Sequence, residues 1–208
     1  HILVFSGGFS SGDEPDGSGK FIANVITNVK IKLSIERLLA KNYLILGICN
    51  GFQALIKSGL LPFGRVGEVS SDSPTLTRND INRHVAHIAK TVVTSNSSPW
   101  LRSFREGEVF QIPISHGEGK FIVEEPLAQK LFDNGQIAFQ YCDFEGQPSM
   151  DEHHNPNGSY YAIEGIVSHN GLILGKMGHS ERKGDHLYKN ITGNKEQNIF
   201  RNAVRYFD

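Results

Sequence analysis

Cys49 is the residue whose neighbours best fit it for chemistry. It stands in Leu44-Ile45-Leu46-Gly47-Ile48-Cys49-Asn50-Gly51-Phe52-Gln53, where an apolar run of strand length meets a Gly-x-Cys-x-Gly turn. A helix-compatible segment follows. Strand, sharp turn and helix in that order make the setting of a nucleophile elbow, with sulfur where many hydrolases carry a serine oxygen. Gly47 and Gly51 leave room for a strained turn that projects the side chain at the strand's end. A helix starting just past Cys49 would aim free N–H groups and partial positive charge at the sulfur, which favours the thiolate, the attacking species. A cysteine ending a core strand is equally a small hydrophobe, so the assignment needs a base.

Nine histidines are available. His179 stands out because it follows a second apolar run, Gly171-Leu172-Ile173-Leu174-Gly175-Lys176-Met177, and sits in Gly178-His179-Ser180-Glu181-Arg182. On extended backbone His179 and Glu181 project to the same side. Glu181 can then fix the imidazole tautomer and stabilise its protonated form. An isolated His-x-Glu is usually a surface loop, but beside a cysteine elbow it completes a triad.

These two motifs and Pro113-Ile114-Ser115-His116-Gly117-Glu118-Gly119 together resemble the class I glutamine amidotransferases, and among them the glutaminases of phosphoribosylformylglycinamidine synthases. Ser6-Gly7-Gly8-Phe9-Ser10 with Gly12-Asp13, and Asn155-Pro156-Asn157-Gly158-Ser159, look like further signatures of that subgroup. The resemblance extends to Asn198–Ala203 and so covers nearly the whole chain. It implies hydrolysis of glutamine to glutamate and ammonia through a Cys49 thioester, in a cytoplasmic enzyme of purine biosynthesis. Cys49, His179 and Glu181 would form the catalytic triad. The backbone N–H groups of Gly8 and Asn50 would be the oxyanion donors, with the Gly7-Gly8 loop as a switch that leaves the hole incomplete in isolation. Gly7, Gln53, Ser115, His116 and Gly117 would bind the substrate, and Glu118 would shape the pocket. The implied partner is a synthetase domain of the same long chain, or a separate subunit, that uses ATP and formylglycinamide ribonucleotide. The variant motifs around Gly178 and Asn155 favour the fused arrangement. No cofactor or metal is implied in this domain; ATP and magnesium would belong to the synthetase.

The chain departs from the family in two places. Gly178 and Ser180 stand where prolines often flank the catalytic histidine, which removes φ restriction and predicts a more mobile loop. His1–Phe5 already leads into the glycine loop, so residues 1–208 resemble a glutaminase domain truncated at its N-terminus and lacking the opening strand–helix unit. Two other classes compete: a Gly-x-Cys elbow hydrolase of deglycase or peptidase type, and a non-catalytic docking domain. The Gly-Phe-Gln continuation with a distal His-x-Glu argues against the first, and the intact Cys49, His179 and Glu181 against the second.

The elements that must position these residues follow from apolar periodicity. Strands are predicted at His1–Phe5, Leu44–Ile48, His87–Thr94, Val109–Ile114, Ile137–Tyr141, Tyr160–Val167 and Leu172–Met177, the last two joined by an Asn170-Gly171 hairpin turn. Helices are predicted over Phe21–Ala40 with a break near Asn28, over Gly51–Ser58 and over Lys195–Tyr206, with a polar stretch at Ser70–Asp80. The alternation indicates an α/β fold: an open, mainly parallel sheet with helices on both faces and a smaller antiparallel region, sites lying at the carboxyl ends of strands.

Composition removes several alternatives. A net charge of −1 gives no electrostatic case for nucleic acid or an anionic membrane. No apolar run approaches the roughly 18 residues of a membrane span. Two cysteines make no disulfide framework, and Cys142, without an elbow, reads as structural. Gly17-Ser18-Gly19-Lys20 is not a phosphate loop, because Phe21 replaces the hydroxyl that binds magnesium. His84 with His87, and His153-His154, read as solvated loop histidines.

Overall fold

Two parallel ladders bring three strand ends together at one place. In the computed structural model, which describes residues 1–9, 17–67 and 69–208, the strands are β1 (Ile2–Phe5), β2 (Leu44–Ile48), β3 (Thr75–Arg78), β4 (Val85–Val93), β5 (Val109–His116), β6 (Glu118–Ile122), β7 (Ile137–Tyr141), β8 (Ile163–Val167) and β9 (Ile173–Lys176). The helices are α1 (Lys20–Thr27), α2 (Val29–Ala40), α3 (Asn50–Lys57), α4 (Leu60–Phe63), α5 (Glu125–Asp133) and α6 (Ile199–Arg205). Among the described residues the main sheet has seven strands in the order β1-β2-β9-β8-β7-β4-β5, and β3 pairs with β6 in a small second sheet. β1 and β9 both run parallel to β2. The remaining four ladders of the main sheet are antiparallel, so the antiparallel region continues the parallel sheet and makes up more of it than the sequence indicates.

Every residue of β2 is buried, the signature of a central strand covered on both faces. Helix α3 packs on it and on β9, and Phe52, Ala54 and Leu55 are fully buried there. The predicted break at Asn28 is real: its ψ of 133° leaves the helical region, and its side chain caps α2 by accepting from the Lys30 N–H at 3.1 Å.

Several predicted boundaries move for physical reasons. Tyr160–Ala162 is a 3₁₀ turn with positive φ at Tyr161 and Ala162, so the strand starts at Ile163. The last helix starts at Ile199 because the preceding chain lies against β5, where the Gln111 N–H donates to the Asn194 carbonyl at 2.7 Å. β3, β6, α4 and α5 are additional elements. Among the described residues no helix is long and apolar enough to cross a membrane.

Candidate active site

Adjacent parallel strands end side by side, and here β1, β2 and β9 deliver in turn the Gly7-Gly8 loop, Cys49 and the loop bearing His179. This is the carboxyl-end arrangement at which α/β sheets place their sites. Cys49 has φ 51° and ψ −108°, a left-handed-side conformation for a non-glycine residue, which costs about 1–3 kcal/mol. The elbow tolerates no side chain on either flank. A Cβ at Gly51 would lie 2.0 Å from the Phe5 carbonyl oxygen, and one at Gly47 would lie 2.8 Å from the Gly51 carbonyl carbon. The Cys49 N–H donates to the Lys176 carbonyl at 2.8 Å, which fixes the elbow against the end of β9.

His179 is buried, and its Nδ1 lies 2.5 Å from Glu181 Oε1. Its Nε2 is buried with no hydrogen-bond partner among the described residues, as a base awaiting a thiol or a leaving group would be. A Cβ at Gly7 would meet His179 Cε1 at 2.8 Å and Cys49 Cβ at 3.2 Å, so the two side chains converge over this glycine. Burial by itself would raise the Glu181 carboxyl, but the bond from His179, its own backbone N–H and the charge of Lys176 outweigh that and hold it low.

Burial raises the Cys49 thiol above its ordinary pKa, although the backbone N–H groups of Asn50 and Gly8 and the charge of Arg182 pull it down. The helix-start N–H groups thus act in the expected direction, favouring the thiolate, but desolvation exceeds their effect. The Cys49 thiol donates weakly to the Ser115 carbonyl at 3.7 Å. Two N–H groups that converge on the nucleophile are placed for an oxyanion formed beside it. Gly8 brings its N–H toward the sulfur with φ 121°.

The pocket is lined by Gly8, Cys49, Asn50, Gln53, Ser115, His116, Gly117 and His179, with Phe9, Ser18, Glu118 and Arg182 as further walls. Gly7 is not among its lining residues; it backs the triad. Gln53 is buried, and its amide nitrogen donates to the Glu118 carbonyl, which ties it to the loop above it. The Glu118 carboxylate accepts the Ser18 N–H at 2.9 Å. His84 is exposed, as expected, and bonds through Nε2 to Ser115 Oγ at 3.0 Å beside the pocket; His153 pairs with exposed Asp151. Ser10, Gly12 and Asp13 of the glycine-loop signature lie outside the described residues. Among the described residues no group of three His, Cys, Asp or Glu side chains is arranged to hold a metal ion.

The loop before His179, although it lacks the prolines, is tethered by hydrogen bonds. The Gly178 N–H donates to Glu164 Oε1 at 2.5 Å, and its carbonyl accepts from Lys176 Nζ at 2.9 Å. Lys176 and Glu164 form an ion pair at 3.1 Å in which neither side chain is exposed. A proline at 178 could not donate this bond, and any Cβ there would lie 2.8 Å from Glu164 Oε1. The His179 N–H donates to the Pro113 carbonyl at 2.8 Å, and Ser180 Oγ bonds Gln197 Oε1 at 2.5 Å. Ser18, Arg182, Glu164 and Lys176 are thus residues of the site or its support that sequence reasoning did not single out. Only Arg182, three residues past His179, carried a positional signal.

A cysteine on a strained elbow, a His–Glu pair and two N–H groups near the sulfur are the groups that a triad amidotransferase requires. Residues 1–207 match the CobB/CobQ-like glutamine amidotransferase domain, and the chain belongs to this family. It is 37% identical to the phosphoribosylformylglycinamidine synthase subunit PurQ of Methanococcus maripaludis strain C7, over 100% of this chain and 80% of that protein. It is 33% identical to the PurQ subunit of Gloeobacter violaceus, over 98% of this chain and 78% of the relative. Among solved structures, PurLQS from Thermotoga maritima superimposes with a TM-score of 0.72 at 26% identity, covering 100% of this chain and 80% of that chain. The glutaminase domain of Trypanosoma brucei CTPS, with a TM-score of 0.52 at 12% identity over 98% of this chain and 71% of its own, shares the fold.

Proposed function

We infer that this chain is the glutaminase of a phosphoribosylformylglycinamidine synthase, releasing ammonia from glutamine for purine biosynthesis. The relatives named PurQ and the PurLQS neighbour support this reading. The observation that carries it is the convergence of Cys49, His179 and the N–H groups of Asn50 and Gly8 on one pocket. As the glutamine side chain enters, the Cys49 thiol proton passes to His179 Nε2 and the sulfur attacks the carboxamide carbon. The Asn50 and Gly8 N–H groups bind the resulting oxyanion, and each such donor is worth about 3 kcal/mol of barrier. His179 then protonates the amide nitrogen, the C–N bond breaks and ammonia leaves a γ-glutamyl thioester on Cys49. Water, deprotonated by His179, hydrolyses the thioester to glutamate and regenerates the thiol. Glu181 holds the imidazole for both proton transfers.

Arg182, on the pocket wall, provides a cation for the α-carboxylate of glutamine, and Ser115 and Gly117 frame the amino-acid end. The partner is a synthetase, on the same polypeptide or a separate subunit, that consumes the ammonia with ATP and formylglycinamide ribonucleotide. ATP and magnesium act there, and glutamine hydrolysis itself uses no cofactor. The enzyme works in the cytoplasm. The test is the complete synthase carrying Cys49→Ala: glutamine-dependent synthesis should vanish while ammonia-dependent synthesis persists. Glutamine-dependent synthesis at the wild-type rate would refute the assignment.

A further inference from the structure

The carbonyls of His116, Gly117, Glu118 and Gly119 are each held by a specific donor, and Asn79 is the centre of the arrangement. Asn79 Nδ2 donates to the His116 carbonyl at 2.9 Å and to the Arg83 carbonyl at 3.1 Å. Its backbone N–H donates to the Gly117 carbonyl at 3.0 Å. Gln53 holds the Glu118 carbonyl, and Asn157 Nδ2 holds the Gly119 carbonyl at 2.8 Å. Asn79 Oδ1 accepts the Gly119 N–H at 3.0 Å and lies 3.2 Å from His116 Nδ1.

These contacts determine a tautomer. Carbonyls only accept and a backbone N–H only donates, so the orientation of the Asn79 amide is fixed by partners that cannot exchange roles. Its Oδ1 therefore faces His116, and Nδ1 of that ring must carry the proton. Burial, with the nearby His84, His179 and His87, lowers the His116 pKa to about 3, so the ring is neutral. Nε2 is then a bare lone pair. Among the described residues it is buried without a partner, on a residue only 4% exposed that lines the pocket beside Cys49.

We propose that Asn79 is a positioning residue for the glutaminase, locking His116 in the Nδ1–H tautomer so that Nε2 accepts a hydrogen bond from the α-ammonium of glutamine. The proposal rests on the glutaminase reading. The amide nitrogen of glutamine is committed to His179, which must protonate it, whereas the α-ammonium brings N–H donors that need acceptors. The nearby Glu118 carboxylate, which also lines the pocket, favours a cation there. Asn79, remote in sequence from every triad residue, would thus set which end of the substrate the pocket accepts.

The experiment compares the complete synthase with its Asn79→Ala variant, using glutamine and 4-carbamoylbutanoate, which is glutamine without the α-amino group. The KM for glutamine should rise roughly 10- to 100-fold in the variant, the loss expected for a hydrogen bond to a charged group, with kcat little changed. The penalty should be absent for 4-carbamoylbutanoate. An equal penalty on both substrates, or a loss confined to kcat, would overturn the proposal. If the variant does not fold, ¹⁵N-histidine NMR of the unmodified protein decides: Nδ1 of His116 should be protonated and Nε2 bare, and the reverse would overturn it. Failure of the unmodified enzyme to hydrolyse glutamine at all would instead defeat the glutaminase reading.

Discussion

The two cysteines of this chain are both buried, and burial raises the pKa of both. Cys49 ends a parallel strand and Cys142 follows an antiparallel one, where it is bridged to Pro148. The chemical difference lies in what surrounds the sulfur. Around Cys49 the Asn50 and Gly8 N–H groups and the charge of Arg182 oppose the desolvation, and a base sits beside it. Cys142 is pushed up to about 11, relieved only by the charge of Lys90, and it lines no part of the pocket. Burial therefore does not separate a nucleophile from a structural thiol. Converging donors and a positioned base do.

Breaking the contrast outright gives the largest effect. Cys49→Ala should reduce glutamine hydrolysis to background, whereas Cys142→Ala should leave steady-state hydrolysis within about twofold of wild type, the change costing stability and not chemistry. Comparable losses from both would show that the elbow is not special. A smaller effect should follow Glu181→Gln, which leaves the thiol in place but takes the charge from the imidazolium's partner. We expect kcat to fall by roughly 10²- to 10⁴-fold, with Cys49 still alkylable.

The smallest effect concerns the resting thiols. Because thiolate is the species alkylated, the rate at Cys142 should rise with each pH unit up to about 11. Cys49, also raised but opposed by donors, should alkylate faster at every pH below that. Peptide-resolved iodoacetamide labelling measures both, and identical profiles would remove the contribution assigned to the Asn50 and Gly8 N–H groups.

The elbow was legible because its causes are local. Leu44–Ile48 is an unbroken apolar run since both faces are covered, and Gly47 and Gly51 stand where backbone approaches backbone. His179 and Glu181 do meet, but not on the extended backbone the spacing supposed: the chain turns there, with the Arg182 N–H donating to the His179 carbonyl at 3.2 Å, and the turn brings the carboxylate to the imidazole. The supports of the partner loops were not legible. Glu164 pairs with Lys176 and Asn79 with His116 across 12 and 37 residues of sequence, and nothing in the local pattern of either distinguishes a buried polar group from an exposed one. The secondary elements show the same division. β3, with Leu76 its one buried residue, was hidden in a polar stretch. In α5 only Ala128 and Leu131 are buried, too few to give a helical stripe.

The claim most open to direct test is that Cys49 alone carries the glutamyl group. The complete synthase, mixed with isotopically labelled glutamine and quenched in acid during turnover, should yield a labelled thioester on the peptide containing Cys49. The label should form and decay at rates consistent with kcat, with none on the peptide containing Cys142. Turnover without labelled Cys49, or with the label on Cys142, would contradict the account.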